Sequence, residues 1–276
     1  MIRMFSHRLW KQSPEQLPMG RRSLRPAQLV RAGMRIVPPH LLVILSMCSV
    51  QSGAALSKSL YPVIGSTGTV FLRLAFGALM LLLIWRPRVR GYTFKEYLLV
   101  FLFGLSLAGL TGFFYASIAR LPLGIALTIE FVGPLGVALV ASRRLPDILW
   151  TLFAVAGIVL LAPINGAAID LPGVVLALLA GGCWAAYILL NKQVGRVFPG
   201  GTGLALGMAV AALVLAPLGL QSIKEAWHDP SIFLSGLGVA IISSVIPFSL
   251  ELEALRRLSA RVFGVLLSLE PVVGAL

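Results

Sequence analysis

Residues 123–142 read LGIALTIEFVGPLGVALVAS. The run is apolar almost throughout and long enough to cross a hydrocarbon core of about 30 Å as a helix. It carries one carboxylate, Glu130, well inside it. A charge in lipid is costly, so an acid within a span points to a site. Four residues on, Pro134 has no amide to give to the Glu130 carbonyl, which predicts a bend or a freed carbonyl beside the acid. Near the other end of the chain, SLEPVVGAL (268–276) repeats the arrangement with Glu270 directly before Pro271. The chain reads as two copies of one membrane-embedded unit, each with an acid beside a helix break.

Composition agrees. Hydrophobic residues make up 58% of the 276 and charged residues 12%, against roughly a quarter charged in a soluble domain. Mean hydropathy is +0.93. The spacing predicts spans at 39–57, 67–85, 97–118, 123–141, 148–163, 172–191, 202–220, 232–250 and 262–276. Residues 1–37 are polar and basic, without the apolar core of a secretory signal. They read as a cytoplasmic tail, with Met34 as an alternative start just before the first span. Leu276 falls in mid-helix with no flanking charge, so the pattern predicts further chain beyond it. Cys48 and Cys183 both lie in apolar runs and are expected to be small buried hydrophobes, neither a disulfide nor a metal pair.

The net charge of +13 has a topological explanation. With the N-terminus in the cytoplasm, every Lys and Arg falls on the cytoplasmic side except Lys58, Arg120 and Lys224 outside and Arg73 within a span. That asymmetry is the positive-inside pattern. Nucleic acid is not needed as a partner; the lipid bilayer is.

The second half repeats the first. Phe114-Tyr115, Arg120-Leu121 and Glu130 find counterparts in Phe248-Ser249, Arg257-Leu258 and Glu270, and Lys58 finds one in Lys192. A five-span unit crosses an odd number of times, so its second copy enters from the opposite side. The expected fold class is therefore an all-α polytopic membrane protein of two inverted five-helix repeats. Its expected organisation is a basic tail (1–37), a first repeat (38–163) and an incomplete second repeat (172–276). Inverted repeats of this kind place a transport site near the midplane between them.

The stretches QSGAALSKSLYPVIG (51–65), FLRLAFGALML (71–81), PLGIALTIEFVGPLGVALVASRR (122–144), GGCWAAYILLNKQ (181–193) and SLEPVVGAL (268–276) resemble the EamA-type transporters of the drug/metabolite transporter superfamily. Within it they are most like the branch that exports threonine and homoserine across the bacterial inner membrane. The resemblance implies export of small amino acids from the cytoplasm, driven by the proton gradient. Its general pattern is ten helices in two repeats. The long basic N-terminus and the absent last helix depart from that pattern. A multidrug or other metabolite exporter of the same superfamily is the alternative, since such carriers share the fold and differ in cavity lining.

The candidate substrate- or proton-binding residues are Glu130, Glu270, Arg73, Tyr115, Trp184 and Tyr187, with Pro134 and Pro271 as helix breaks. Glu130 and Glu270 suit a coupling proton or a substrate ammonium group; otherwise they are structural acids bonded to a neighbouring helix. Arg73 either snorkels to the outer interface or pairs with Glu130 or a substrate carboxylate. Tyr115, Trp184 and Tyr187 either line a cavity or pack helices together. Lys58 reads as an interfacial anchor, Gly203-x-x-x-Gly207 as a helix contact, and Glu251 and Glu253 as a solvated loop compensated by Arg256 and Arg257. A membrane enzyme is the remote alternative. No His lies within a span, no catalytic residue emerges, and no HExxH, Walker A or dinucleotide motif is present; Gly104–Gly109 lacks the spacing of a nucleophile elbow. No metal or cofactor is expected. The expected partners are a small amino acid and lipid, with a second copy of the chain as an open option.

Overall fold

A computed structural model describes residues 36–57, 59–87, 89–140, 170–224, 228–270 and 273. The predicted span 148–163, Lys58, Arg143, Arg144, Pro271 and the basic tail up to residue 35 lie outside the described residues. All regular structure among the described residues is helical: α1 (Pro39–Ser57), α2 (Tyr61–Trp85), α3 (Phe94–Ile118), α4 (Leu123–Glu130), α5 (Val132–Val140), α6 (Leu171–Val197), α7 (Thr202–Ser222), α8 (Pro230–Ala240), a π-helical turn (Ile241–Val245), α9 (Ile246–Arg257) and α10 (Ala260–Leu267). Seven helical segments, with α4–α5 and α8–α9 each taken as one, are long and apolar enough to cross a membrane.

Local chemistry sets the helix starts. Asp170 accepts from the Gly173 amide at 3.2 Å and Asp229 from the Ser231 amide at 2.9 Å, and Pro172 and Pro230 occupy the first turns that follow. Ser259 caps α10 through the Val262 amide at 3.2 Å. Thr93 and Glu96 form a capping box at the start of α3. Each cap satisfies amides that the first helical turn leaves without partners. The Ser231 hydroxyl, and after it the Ser231 amide, hold the exposed Asp229 carboxyl below the usual carboxylate range.

In lipid, helices associate by close packing rather than by the hydrophobic effect, so small residues mark their seams. Gly207 of the GxxxG pair lies against the Phe103 ring on α3, and Gly203 against Val194 and Phe198 at the end of α6. A Cβ added at Gly77 on α2 would stand 2.8 Å from Met208 Sδ on α7. The helix pairs that pack are α3 with α6, α1 with α8–α9, α2 with α7, α3 with α7, α2 with α8, α4–α5 with α6, α1 with α10, and α5 with α10. α6 also packs on α9. An exchange of α1–α5 for α6–α10 turns every pair except this last one into a member of the set. α3·α6 becomes α1·α9, and α3·α7 becomes α2·α8.

Three expectations are corrected. The second span starts at Tyr61, not at residue 67, with Pro62 in its first turn and a break at Gly65, whose φ of 66° belongs to glycine. The eighth span runs to Arg257, past the predicted end at 250, because Glu251 and Glu253 are covered by protein rather than solvated. Cys48 is exposed on the helix surface, while Cys183 is half-buried against Gly109; both are free.

Candidate functional site

The fourth span divides where Pro134 predicts. α4 ends at Glu130, Phe131 forms a turn, and α5 starts at Val132. Across this break lies Gly181 of α6. A Cβ there would stand 2.7 Å from the Glu130 carbonyl oxygen and 3.4 Å from its Cα. The absence of a side chain at 181 therefore lets α6 backbone lie directly on the carbonyl that Pro134 leaves without an amide. Gly264 of α10 approaches the same break from the other repeat: a Cβ there would come 2.6 Å from the Pro134 carbonyl. In α10 the helix likewise stops at Leu267, and Ser268–Leu269 turn before Glu270.

Glu130 is only 4% exposed. Its carboxyl feels the charge of Glu270, and Glu270 in turn feels that of Glu251. Three acids from α5's break, α10's break and α9 thus form a series within electrostatic reach. Glu270 keeps part of its surface accessible, and its carbonyl accepts from Gln51 Nε2 of α1 at 3.5 Å, the outer limit of such a bond. Thr128 and Ser268, two residues before these acids, bond back to carbonyls of their own helices, Gly124 and Val265.

Glu251 was not among the residues expected at a site. It is 7% exposed and accepts a 2.8 Å hydrogen bond from the Tyr187 hydroxyl of α6. Asn191, one turn along α6 and fully buried, donates to the same hydroxyl at 3.1 Å, while its own Oδ1 has no partner. Phe103, stacked on Tyr187 at 5.5 Å, and Phe248, at 5.8 Å, hold the ring in place. The expected solvated loop is overturned at Glu253 as well. Its carboxylate is buried and bonds Arg257 at 2.7 Å and Arg256 at 3.2 Å. Arg256 also bonds the Gly195 and Phe198 carbonyls at 2.8 and 3.1 Å and the Gly200 carbonyl, tying α9 to the end of α6.

The remaining candidates fall in two places. Trp184 packs on Phe131 at 5.0 Å, directly over the fourth-span break. Arg73 and Tyr115 lie together elsewhere: the Tyr115 hydroxyl is 3.2 Å from that of Tyr61, and Tyr61 feels the Arg73 charge. Arg73 is twelve residues into α2, about 18 Å along it, and its Nε is buried without a hydrogen-bond partner. No ion pair joins Arg73 to Glu130 among the described residues. Nor does any cluster of three or more His, Cys, Asp or Glu there suit a metal ion.

Known proteins match this chain at three levels. The family model described as the EamA-like transporter family matches residues 171–276. The threonine/homoserine exporter RhtA of Salmonella typhimurium (strain LT2) is 43% identical over 240 residues, covering 86% of this chain and 81% of the relative. RhtA of Escherichia coli (strain K12) matches with the same identity and coverage. A solved crystal structure superposes with a TM-score of 0.69 at 21% identity, covering 86% of this chain and 87% of that one, which shows a shared fold. With its apolar helices, paired breaks and exporter relatives, the chain belongs to the EamA-like transporter family of multi-pass membrane proteins.

Proposed function

We propose that this protein is a secondary exporter that carries small amino acids of the threonine and homoserine type out of the cytoplasm, across the bacterial inner membrane, in exchange for protons. Its identity of 43% to exporters of those substrates, sustained over 86% of the chain, is the observation that carries the reading. The site lies where the fourth-span and ninth-span breaks meet. Glu130 and Glu270 bind the coupling proton or the substrate ammonium group there, and Trp184 covers the break at Pro134. A pair of acids that repel one another within one protein cavity can exchange a bound cation for a proton, which is the requirement of antiport. Arg73, grouped with Tyr61 and Tyr115, offers a guanidinium to a substrate carboxylate, and Tyr187 serves the second repeat. The repeats span residues 38–163 and 172–276, and the N-terminus is cytoplasmic.

Expression in a bacterial strain lacking its own exporters tests the reading. Cells should tolerate excess threonine and homoserine better than controls and release labelled threonine faster. Tolerance gained for unrelated drugs, with none for amino acids, would replace this reading by the multidrug alternative.

A further inference from the structure

The buried group on the second repeat does more than pack. α6 touches α9 through Tyr187–Glu251, through Lys192 Nζ donating to the Leu258 carbonyl at 3.2 Å, and through Arg256 on the Gly195 carbonyl. The exchange that relates the two halves turns this seam into α1 against α3, and those two helices form no comparable contact among the described residues. One end of the bundle is therefore closed by a polar seam that has no comparable counterpart between α1 and α3 among the described residues. The closed end carries Trp85, Lys192, Arg196, Arg256 and Arg257, the basic ends that the positive-inside pattern assigns to the cytoplasm.

Within that seam the acceptors outnumber the donors. Glu251 and Asn191 lie on either side of one hydroxyl, that of Tyr187, and Asn191 Oδ1 is buried with no donor among the described residues. A buried polar acceptor without a partner is costly. Among the described residues, α1 and α7, which pack on α9, contain no Asp, Glu, Lys or Arg, and His40 of α1 is exposed at the helix start. α6 brings Tyr187 and, past it, Lys192, whose ammonium bonds the Leu258 carbonyl. After α10 comes Glu270, a further negative charge, with Arg261 at the helix start. On α9 itself, Arg256 and Arg257 both bond Glu253.

We propose that Glu251, with Tyr187 and Asn191, is a proton-binding site that latches the cytoplasmic end shut, and that protonation of Glu251 releases it. The step is a simple transfer: a proton from the outer solution, passed by way of Glu270, forms an O–H bond on the Glu251 carboxylate. The charge-assisted Tyr187 bond becomes a weaker neutral one, α6 and α9 part, and the proton leaves to the cytoplasm as substrate enters. The direction rests on the proposed exporter reading; the latch itself does not.

The test uses the full chain with Cys48→Ser and Cys183→Ser and a reporter, Ser249→Cys. Ser249 lines a small pocket at the closed end with Trp85, Gly200, Leu252 and Arg256. A membrane-impermeant maleimide is applied to inside-out vesicles between pH 5.5 and 8.5, chosen to span roughly the reference range between carboxylates and thiols. Labelling, corrected for the reactivity of an exposed control cysteine, should rise about fivefold toward low pH, as a charged hydrogen bond becomes neutral. Glu251→Gln should label fast at every pH, whereas Glu251→Asp should keep the pH response, a rescue that a packing role alone would not give. An unchanged pH response in Glu251→Gln, or none in the parent, overturns the latch. Threonine efflux from the same vesicles is scored separately. Absent efflux with the labelling pattern intact removes the substrate assignment and leaves the latch standing.

Discussion

Two adjacent glycines on α6 offer a controlled perturbation of the proposed site. A Cβ at Gly181 would stand 2.7 Å from the Glu130 carbonyl oxygen, while one at Gly182 meets nothing within 4 Å. Carbon-to-carbonyl contacts settle at about 3.3–3.6 Å, so Gly181→Ala needs a backbone shift of roughly 0.6 Å or more across the break. Overpacking of this kind costs about 1–3 kcal/mol. Both variants share the same gain, near 1 kcal/mol, from replacing glycine within a helix. The propensity term therefore cancels between them, and Gly181→Ala should be the less stable by about 1–3 kcal/mol. For a chain of this size that is a Tm lower by about 2–12 °C. Thermal unfolding of both variants in the same detergent, followed by tryptophan fluorescence, measures the difference. Threonine efflux should fall in Gly181→Ala and be normal in Gly182→Ala. Equal Tm values would refute the close approach of α6 to the Glu130 carbonyl.

Three other outcomes are expected. Glu130→Gln should insert and run as a folded species by size exclusion but lose proton-driven export; normal export would remove Glu130 from the coupling role. Glu253→Gln leaves two arginines short of their buried carboxylate and should cost about 3 kcal/mol, read as a lower Tm than that of an exposed Glu96→Gln control. At Asp229 the sign follows from a lowered carboxyl. Its cap contributes above the ordinary carboxylate range and is lost as pH falls through the lowered value. Asp229→Ala should therefore narrow its stability gap to the parent as pH drops from neutral toward 3, a range set roughly by reference carboxylates. A gap that widens on acidification would be the contrary result.

Seven of the spans and the break in the fourth could be read from the sequence because lipid imposes a length and Pro134 removes a donor. The family resemblance rested on the same segments that meet at the site. Arg73 was harder to place. Its depth depends on where α2 begins, and Tyr61-Pro62 marks that start by the preference of proline for the first helical turn, a signal weaker than the apolar run after it. Glu251 reads as solvated in the sequence because Arg256 and Arg257 beside it suggest an exposed loop. The available clue lay in another helix: Tyr187 and Asn191, four residues apart, give an otherwise apolar span one polar stripe that requires a partner. Which side chain answers it depends on tertiary register, and periodicity within one helix carries no such information.

The π-helical turn at Ile241–Val245 has a consequence for that register. The Ile246 amide reaches back five residues to the Ile241 carbonyl. The next carbonyl, Ile242, faces Pro247, which has no amide, and Ser49 of α1 supplies the donor at 2.5 Å. A π turn amounts to one residue inserted into an α-helix, so everything beyond it is rotated by about 100° relative to an uninterrupted helix. Glu251 lies one to two turns past the insertion. Were the turn to close as regular α-helix with no residue lost, the acid would swing by about 100° away from Tyr187, with the sequence of the span unchanged. The phase of the eighth span, fixed by one extra residue and one serine on its neighbour, thus decides whether its carboxylate meets Tyr187.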